Sequence, residues 1–285
     1  MTHSDTIPSA TTAKTRFVEA IGRRIAYRSV GKGAPIILCN RYKGILDTWD
    51  PAFIDNLAQH FTVITFDYSG LALSTGTPPS DILSMANDAR DIAEALKLEK
   101  IIIGGWSLGG MAAQTVTTHY PELVSHAILI GTAPPGKNDH APERLFFETA
   151  AKPVKDLADE IIIFFEPKSE ASRNAAKLTH DRIAKRTSDL DAPISAPVWD
   201  SLYKAGADFY ADRHNSREKL KTTTIPILVI SGDHDIVCPV ENWFALTREL
   251  PTMQLIVFPQ AGHGPQHQYP GIAAEYITTF IRNTK

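Results

Sequence analysis

The sequence predicts an α/β fold, with a mostly parallel eight-stranded sheet, helices on both of its faces and an inserted helical cap. Short apolar runs bounded by turn residues alternate with amphipathic helical patterns, and this alternation is typical of a parallel sheet. The alternation stops over residues 132–224, which carry helical patterns but no convincing strand. The chain has 285 residues, of which 43% are hydrophobic, and this is enough for one large core.

The strands are predicted from runs rich in β-branched and aliphatic residues. Residues 16–29 read as two short strands joined at Gly22. The remaining runs are short and apolar, which suits strands that are buried on both faces. They comprise residues 35–39, 61–66, 100–103, 126–130, 226–230 and 254–258.

The helices are predicted from apolar residues at helical spacing. An N-cap at Ser80-Asp81 precedes a helical stripe over residues 82–96. Pro270 fits a first helical position, and an apolar stripe follows it as far as Ile281. The long segment without strands is predicted to be helical as well, because a structureless loop of that length is uncommon in a compact domain.

The predicted domain organisation follows from these elements. Residues 16–131 and 225–285 form the expected core, and residues 132–224 form the expected cap. Residues 1–15 are polar and lack the apolar segment of a secretory signal. We expect them to be a disordered leader.

The composition argues against several classes of function. The net charge is −3 without a long run of one sign, which argues against a nucleic-acid partner. The longest apolar run, residues 161–165, is far shorter than the ~20 residues that span a membrane. Cys39 and Cys238 fit neither a disulfide framework nor a metal motif, and they favour a reducing, cytoplasmic location. No cofactor motif is recognised, so we expect a small-molecule substrate and no cofactor, metal or membrane partner.

The main motif is the stretch GGWSLGG over residues 104–110, between the apolar run Ile101–Ile103 and an Ala-rich helical segment. It contains the pattern G-x-S-x-G, which is typical of a nucleophile elbow with Ser107 at the turn between a strand and a helix. Glycine is needed on both sides because a Cβ there would strike the neighbouring backbone. The alternative is a glycine-rich turn with an N-capping serine.

A serine hydroxyl becomes a good nucleophile only when a base takes its proton. His263 is the best candidate, because it lies in the loop after the last predicted strand, at the sheet edge where Ser107 is expected. His267 is the second choice. The alternative for His263 is an ordinary histidine in a surface loop.

The base in turn needs a carboxylate that holds its tautomer. The stretch SGDHDIVCP over residues 231–239 follows a buried strand and offers Asp233 and Asp235. We favour Asp235, because Asp233 is closer to the glycine turn and is suited to cap the local backbone. An Asx-type turn is the alternative for both, and no second cluster of ligands supports a metal site.

The chain resembles the α/β-hydrolase fold family, in the group with a helical cap. The resemblance rests on GWSLGG, GDHDIVCP and AGHG, which are similar to the nucleophile, acid and histidine motifs of that family. The order Ser107, Asp235, His263 is also the order of that family's catalytic residues. The resemblance covers residues from about 16 to the C-terminus and implies a serine hydrolase with a Ser-Asp-His triad.

Two motifs depart from the family pattern. The stretch Asp67–Ser74 resembles the family's D-x-R-G-x-G-x-S loop, but Ser69 and Ala72 stand in place of its Arg and second Gly. The family's His-Gly pair after the third strand is absent, and Asn40-Arg41 takes its place.

The resemblance implies an oxyanion hole made of two backbone N–H groups. One donor is Leu108, and the other is Arg41 or Tyr42. The Arg41 side chain has two possible roles: it binds a substrate carboxylate or carbonyl, or it turns away and pairs with Asp47 or Asp50. We favour the pairing.

The function implied is hydrolysis of an ester, lactone or thioester through an acyl-enzyme. Aromatic residues in the cap favour a small to medium apolar substrate, and Trp106 beside the nucleophile either contacts substrate or packs under the cap. Acyl transfer, perhydrolysis and a cofactor-free lyase step use the same residues and stay open. A ligand-binding, receptor-like role is the other alternative.

Overall fold

The apolar runs form a single eight-stranded sheet in the computed structural model, which describes residues 9–152 and 155–284. The strand order is β1-β2-β4-β3-β5-β6-β7-β8, and all neighbours from β4 to β8 are parallel. Only β2 runs against its neighbours. The strands are β1 (Arg16–Ala20), β2 (Arg23–Val30), β3 (Ala34–Cys39), β4 (Phe61–Phe66), β5 (Ile101–Trp106), β6 (Val124–Ile130), β7 (Ile227–Gly232) and β8 (Met253–Phe258).

Helices cover both faces of this sheet, and the mostly parallel α/β architecture predicted from the sequence is confirmed. In the region before the inserted segment they are α1 (Pro51–Ala58), α2 (Ile82–Ala95) and α3 (Leu108–His119). In the inserted segment they are α4 (Arg144–Ala150), α5 (Leu157–Phe164), α6 (Glu170–Ile183), α7 (Ala196–Ala211) and α8 (Ser216–Thr222). After it come α9 (Glu241–Phe244), α10 (Pro265–Gln268) and α11 (Pro270–Asn283).

The alternation of side chains along each strand divides the core into two layers. Ile37 and Ile103 face the layer that holds α2 and α3, whereas Ile36 and Ile102 face the layer that holds α1 and α11. Both layers are apolar, so the central strands β3 and β5 carry no charged or hydroxyl side chains.

The predicted N-termini of two helices agree with the structure. The Asp81 side chain caps α2 by accepting a hydrogen bond from the Ser84 N–H at 2.8 Å. Pro270 is the first residue of α11. The helices α1, α9 and α10 were not anticipated, because eight and four residues are too few to show a clear period.

The inserted segment between β6 and β7 is helical among its described residues, and α7 contributes Leu202 and Phe209 to the same core layer as α2. That this segment works as a cap over the active site stays a prediction. Among the helices of the described residues, none combines the length and the apolar character that a membrane crossing requires.

The prediction of a disordered leader is wrong for residues 9–15. The Arg186 guanidinium donates hydrogen bonds to the carbonyl groups of Ala10, Thr11 and Ala13, and the Ala13 side chain is buried. These polar residues are held in place by hydrogen bonds from Arg186 to their backbone carbonyls. Their composition could not predict this order, because Arg186 lies more than 170 residues away in the sequence. Residues 1–8 lie outside the described residues.

Candidate active site

Ser107 occupies a strained turn between β5 and α3. Its φ of 58° and ψ of −122° are rarely adopted by residues with a side chain. A Cβ on Gly105 would strike the carbonyl of Gly109, and a Cβ on Gly109 would strike the carbonyls of Cys39 and Asn40. Glycine at these two positions therefore lets the turn lie directly against the end of β3, next to the loop that begins at Asn40.

His263 lies in the loop after β8 and is bound to Asp235. The distance from His263 Nδ1 is 2.8 Å to Oδ2 of Asp235 and 3.0 Å to Oδ1. The backbone N–H groups of Val237 and Cys238 each donate to the same Oδ1 at 2.8 Å. Both side chains are almost fully buried, so the carboxylate has a fixed orientation and holds the imidazole by its Nδ1.

Asp233 and His267, the second choices for the acid and the base, lie elsewhere. Asp233 binds the ring of His234 at 2.6 Å and the N–H of Ala261 at 3.2 Å. Although burial opposes it, these bonds hold the pKa of Asp233 below its ordinary value. His267 is buried against Trp106, its Nε2 accepts the Asp50 N–H at 3.2 Å, and burial lowers its pKa to about 4. Neither residue is placed to act on Ser107.

Ser107 and His263 line one cavity of about 210 Å³. No hydrogen bond joins their side chains among the described residues. In enzymes without substrate such bonds are often long and tighten only when the reacting complex forms. The arrangement therefore brings the candidate nucleophile and the candidate base to one cavity.

Three backbone N–H groups at this cavity have no acceptor among the described residues. Two of them belong to Arg41 and Tyr42, which line the cavity in the loop after β3, and the third belongs to Leu108, which directly follows the lining residue Ser107 as the first residue of α3. The first N–H groups of a helix have no partner within it, and they attract negative charge. These are the donors that the resemblance implied, and they lie on the two segments that Gly109 brings into contact.

Arg41 lines the cavity, so the expectation that it pairs with Asp47 or Asp50 is wrong. Asp47 is bound by Arg28 at 2.5 Å, and Asp50 by Arg182 at 2.5 Å. These arginines come from β2 and α6, and they occupy both carboxylates. Arg41 instead donates to the carbonyl of Tyr42 at 2.9 Å.

Trp106 was considered as a substrate contact, but it is buried beneath the cavity and is not among the lining residues. Its Nε1 donates to the backbone carbonyl of His263 at 2.6 Å, and its ring contacts Phe164 at a centroid distance of 5.2 Å. Trp106 therefore packs below the inserted segment and holds the histidine loop.

Several lining residues were not predicted. Glu160 and Ile163 lie on the same face of α5 as Phe164, which was one of the cap aromatics expected near the pocket, and the spacing of three and four residues is a signal that could have found them. Lys43 and Lys155 also line the cavity, and no local pattern marks them.

The comparisons with known proteins agree with the α/β architecture of the chain. A family model described as alpha/beta hydrolase fold matches residues 34–270. The chain is 28% identical over 262 residues to pimeloyl-(acyl-carrier protein) methyl ester esterase of Pseudoalteromonas atlantica, covering 90% of this chain and 96% of that protein. An alpha/beta hydrolase fold protein from Chitinophaga pinensis superposes with a TM-score of 0.87 at 29% identity, over 97% of this chain and 100% of that chain. A thermophilic esterase from Thermogutta terrifontis gives a TM-score of 0.72 at 25% identity, over 95% and 98%.

Proposed function

This chain belongs to the alpha/beta hydrolase family, and from this premise we propose that it is a serine hydrolase. The bond cleaved is a carboxylic ester, lactone or thioester, and the reaction passes through an acyl-enzyme on Ser107. The observation that carries the proposal is the strained Ser107 in one cavity with His263, whose ring is bound to the buried carboxylate of Asp235.

The proposed first step is attack by Ser107 on the substrate carbonyl. His263 Nε2 takes the hydroxyl proton while Asp235 accepts a hydrogen bond from Nδ1–H and stabilises the imidazolium. The negative charge develops on the carbonyl oxygen, where the N–H groups of Leu108 and of Arg41 or Tyr42 bind it. Removal of one such donor typically costs about 10²- to 10³-fold in kcat.

In the second step the tetrahedral intermediate collapses and the alcohol or thiol leaves with the proton from His263. Water then attacks the acyl group, His263 takes its proton, and Ser107 is released with the acid product. The same base thus serves both halves of the reaction.

The size and lining of the cavity support a small substrate. Its volume of about 210 Å³ lies below the ordinary range for drug-sized ligands, ~300–1,000 Å³. Apolar side chains form part of the wall, and they are Phe146, Ile163, Phe164 and Val237. The esterases among the relatives support an ester as the bond cleaved.

A fluorophosphonate probe tests the nucleophile. The protein is expected to become labelled, the Ser107→Ala variant is expected to lose all labelling, and circular dichroism of the variant is expected to be unchanged. Ser188→Ala, an exposed serine in the inserted segment, is the matched control and should label like the wild type. Persistent labelling of Ser107→Ala would show that the assignment is wrong.

A further inference from the structure

The guanidinium of Arg41 is unusually short of partners for a group in its position. Among the described residues its buried Nε has no hydrogen-bond partner, and its one side-chain bond is donated to the carbonyl of Tyr42. No carboxylate lies within ion-pair distance of it among the described residues. Two rings partly replace a counter-ion, because its Cζ lies 4.7 Å from the ring centre of Phe164 and 5.2 Å from that of Trp106.

Further cations share the cavity with Arg41. Lys43 and Lys155 line it as well, and among its described lining residues the acid is Glu160. Glu160 is half-exposed and lies 3.5 Å from Nδ1 of His180, and its charge only partly offsets the lowering of the pKa of Arg41 by burial. Three cations against one carboxylate leave the wall with an excess of positive charge.

The three cations disfavour one another. Burial lowers the pKa of Arg41 to about 10, and it also lowers the pKa values of Lys43 and Lys155. The charge of Arg41 contributes to the lowering at both lysines. An anion in the cavity would relieve this repulsion and supply the acceptor that the buried Nε of Arg41 lacks.

The geometry points to an ester substrate that carries a free carboxylate, and we propose that Arg41 binds this carboxylate in the cavity of Ser107. A guanidinium presents parallel N–H donors that match a planar carboxylate, and Lys43 and Lys155 add charge without a fixed geometry. This inference rests on the proposed serine-hydrolase activity and narrows its substrate to anionic esters, such as the monoesters of short dicarboxylic acids.

Matched pairs of substrates test the proposal. One pair is phenyl hemisuccinate and phenyl succinamate, and the other is 4-acetoxybenzoate and 4-acetoxybenzamide. Each pair compares a carboxylate with a neutral amide of the same shape. The charged group is on the acyl side of the ester in the first pair and on the alcohol side in the second. We expect kcat/KM to favour the carboxylate by about 10- to 100-fold in at least one pair. Arg41→Met should remove this preference, because the carboxylate ester loses far more than the amide ester. Lys32→Met, which removes an exposed cation in the turn between β2 and β3, should retain it.

A binding measurement separates this inference from the activity itself. Ser107→Ala should bind 4-acetamidobenzoate in calorimetry at least tenfold more tightly than 4-acetamidobenzamide, and the double variant with Arg41→Met should lose the difference. If neutral aryl esters are cleaved in a Ser107-dependent way without a preference for either carboxylate, the anionic substrate is refuted while the hydrolase stands. An equal loss for both members of a pair in Arg41→Met would show that Arg41 only packs against Phe164. If no ester is cleaved, the hydrolase fails and the calorimetry alone decides whether the anion site exists.

Discussion

Replacement of Asp235 by Asn tests how the candidate site positions its histidine. Oδ1 of Asp235 accepts two backbone N–H groups, from Val237 and Cys238, while Oδ2 faces Nδ1 of His263 at 2.8 Å. Asn has one oxygen, and this oxygen takes the place of Oδ1 because the two N–H donors require an acceptor. The amide NH₂ of Asn then faces His263.

An NH₂ group that faces Nδ1 requires this nitrogen to be an acceptor, so the proton moves to Nε2. A histidine with its proton on Nε2 cannot take the proton of Ser107. The opposite orientation of the amide would leave two buried N–H groups without an acceptor, at about 1–3 kcal/mol each. The amide orientation that leaves the proton on Nδ1, and so lets His263 act as a base, is therefore less stable by at least about 2 kcal/mol, which is a ratio of about 30 to one.

The orientation alone therefore lowers kcat by about 30-fold or more, and the lost negative charge beside the imidazolium lowers it further. We expect a total loss of about 10³- to 10⁴-fold in kcat, with KM changed only slightly. The assay is steady-state hydrolysis of an aryl ester, with thermal unfolding as the check that the variant is folded.

Asp233→Asn is the matched control, because Asp233 lies two residues away and binds the exposed ring of His234. Its effect on kcat should be within about twofold, as for other exposed ion pairs. The reasoning fails if Asp235→Asn keeps kcat within tenfold of the wild type, or if Asp233→Asn is the more damaging change.

Two further predictions concern stability. Ala72 has a φ of 46°, which is a strained value for alanine, so Ala72→Gly should raise the free energy of unfolding in urea by about 0.5–1 kcal/mol. The control is Ala175→Gly inside α6, which should lower the free energy of unfolding by a similar amount. If both variants lost the same stability, Ala72 would not be strained. Because folding lowers the pKa of His267 from an ordinary 6.5 to about 4, the unfolded chain binds a proton first as pH falls. The free energy of unfolding should therefore drop by up to ~3 kcal/mol between pH 6.5 and 4. In His267→Gln the free energy of unfolding should depend less on pH over this range. If its pH dependence equals that of the wild type, the role of His267 is refuted.

The strands and the nucleophile turn could be predicted from the sequence because local physics decides them. A strand buried on both faces is largely apolar, so runs such as residues 35–39 and 226–230 mark strands that have a neighbour on each side in the sheet. The glycines around Ser107 mark a turn in which backbones touch. The order of the three candidate catalytic residues along the chain, each after a strand, then placed them at one edge of the sheet.

The sequence could not reveal which partner each charged side chain would find. The ion pair expected between Arg41 and Asp50 does not form, because Asp50 is bound by Arg182, which lies more than a hundred residues further along the chain. The leader prediction failed in the same way, because Arg186 binds backbone carbonyls of residues 10–13.

The sequence by itself therefore determined the sheet, the nucleophile turn and the residue types at the site, since these depend on neighbours in the chain. Only the tertiary structure decided that Arg41 lines the cavity with no ion-pair partner in the described part of the chain, and that Trp106 is buried instead of lining it. Ion pairs and buried contacts depend on distances between segments remote in the sequence, and those distances exist only once the chain has folded.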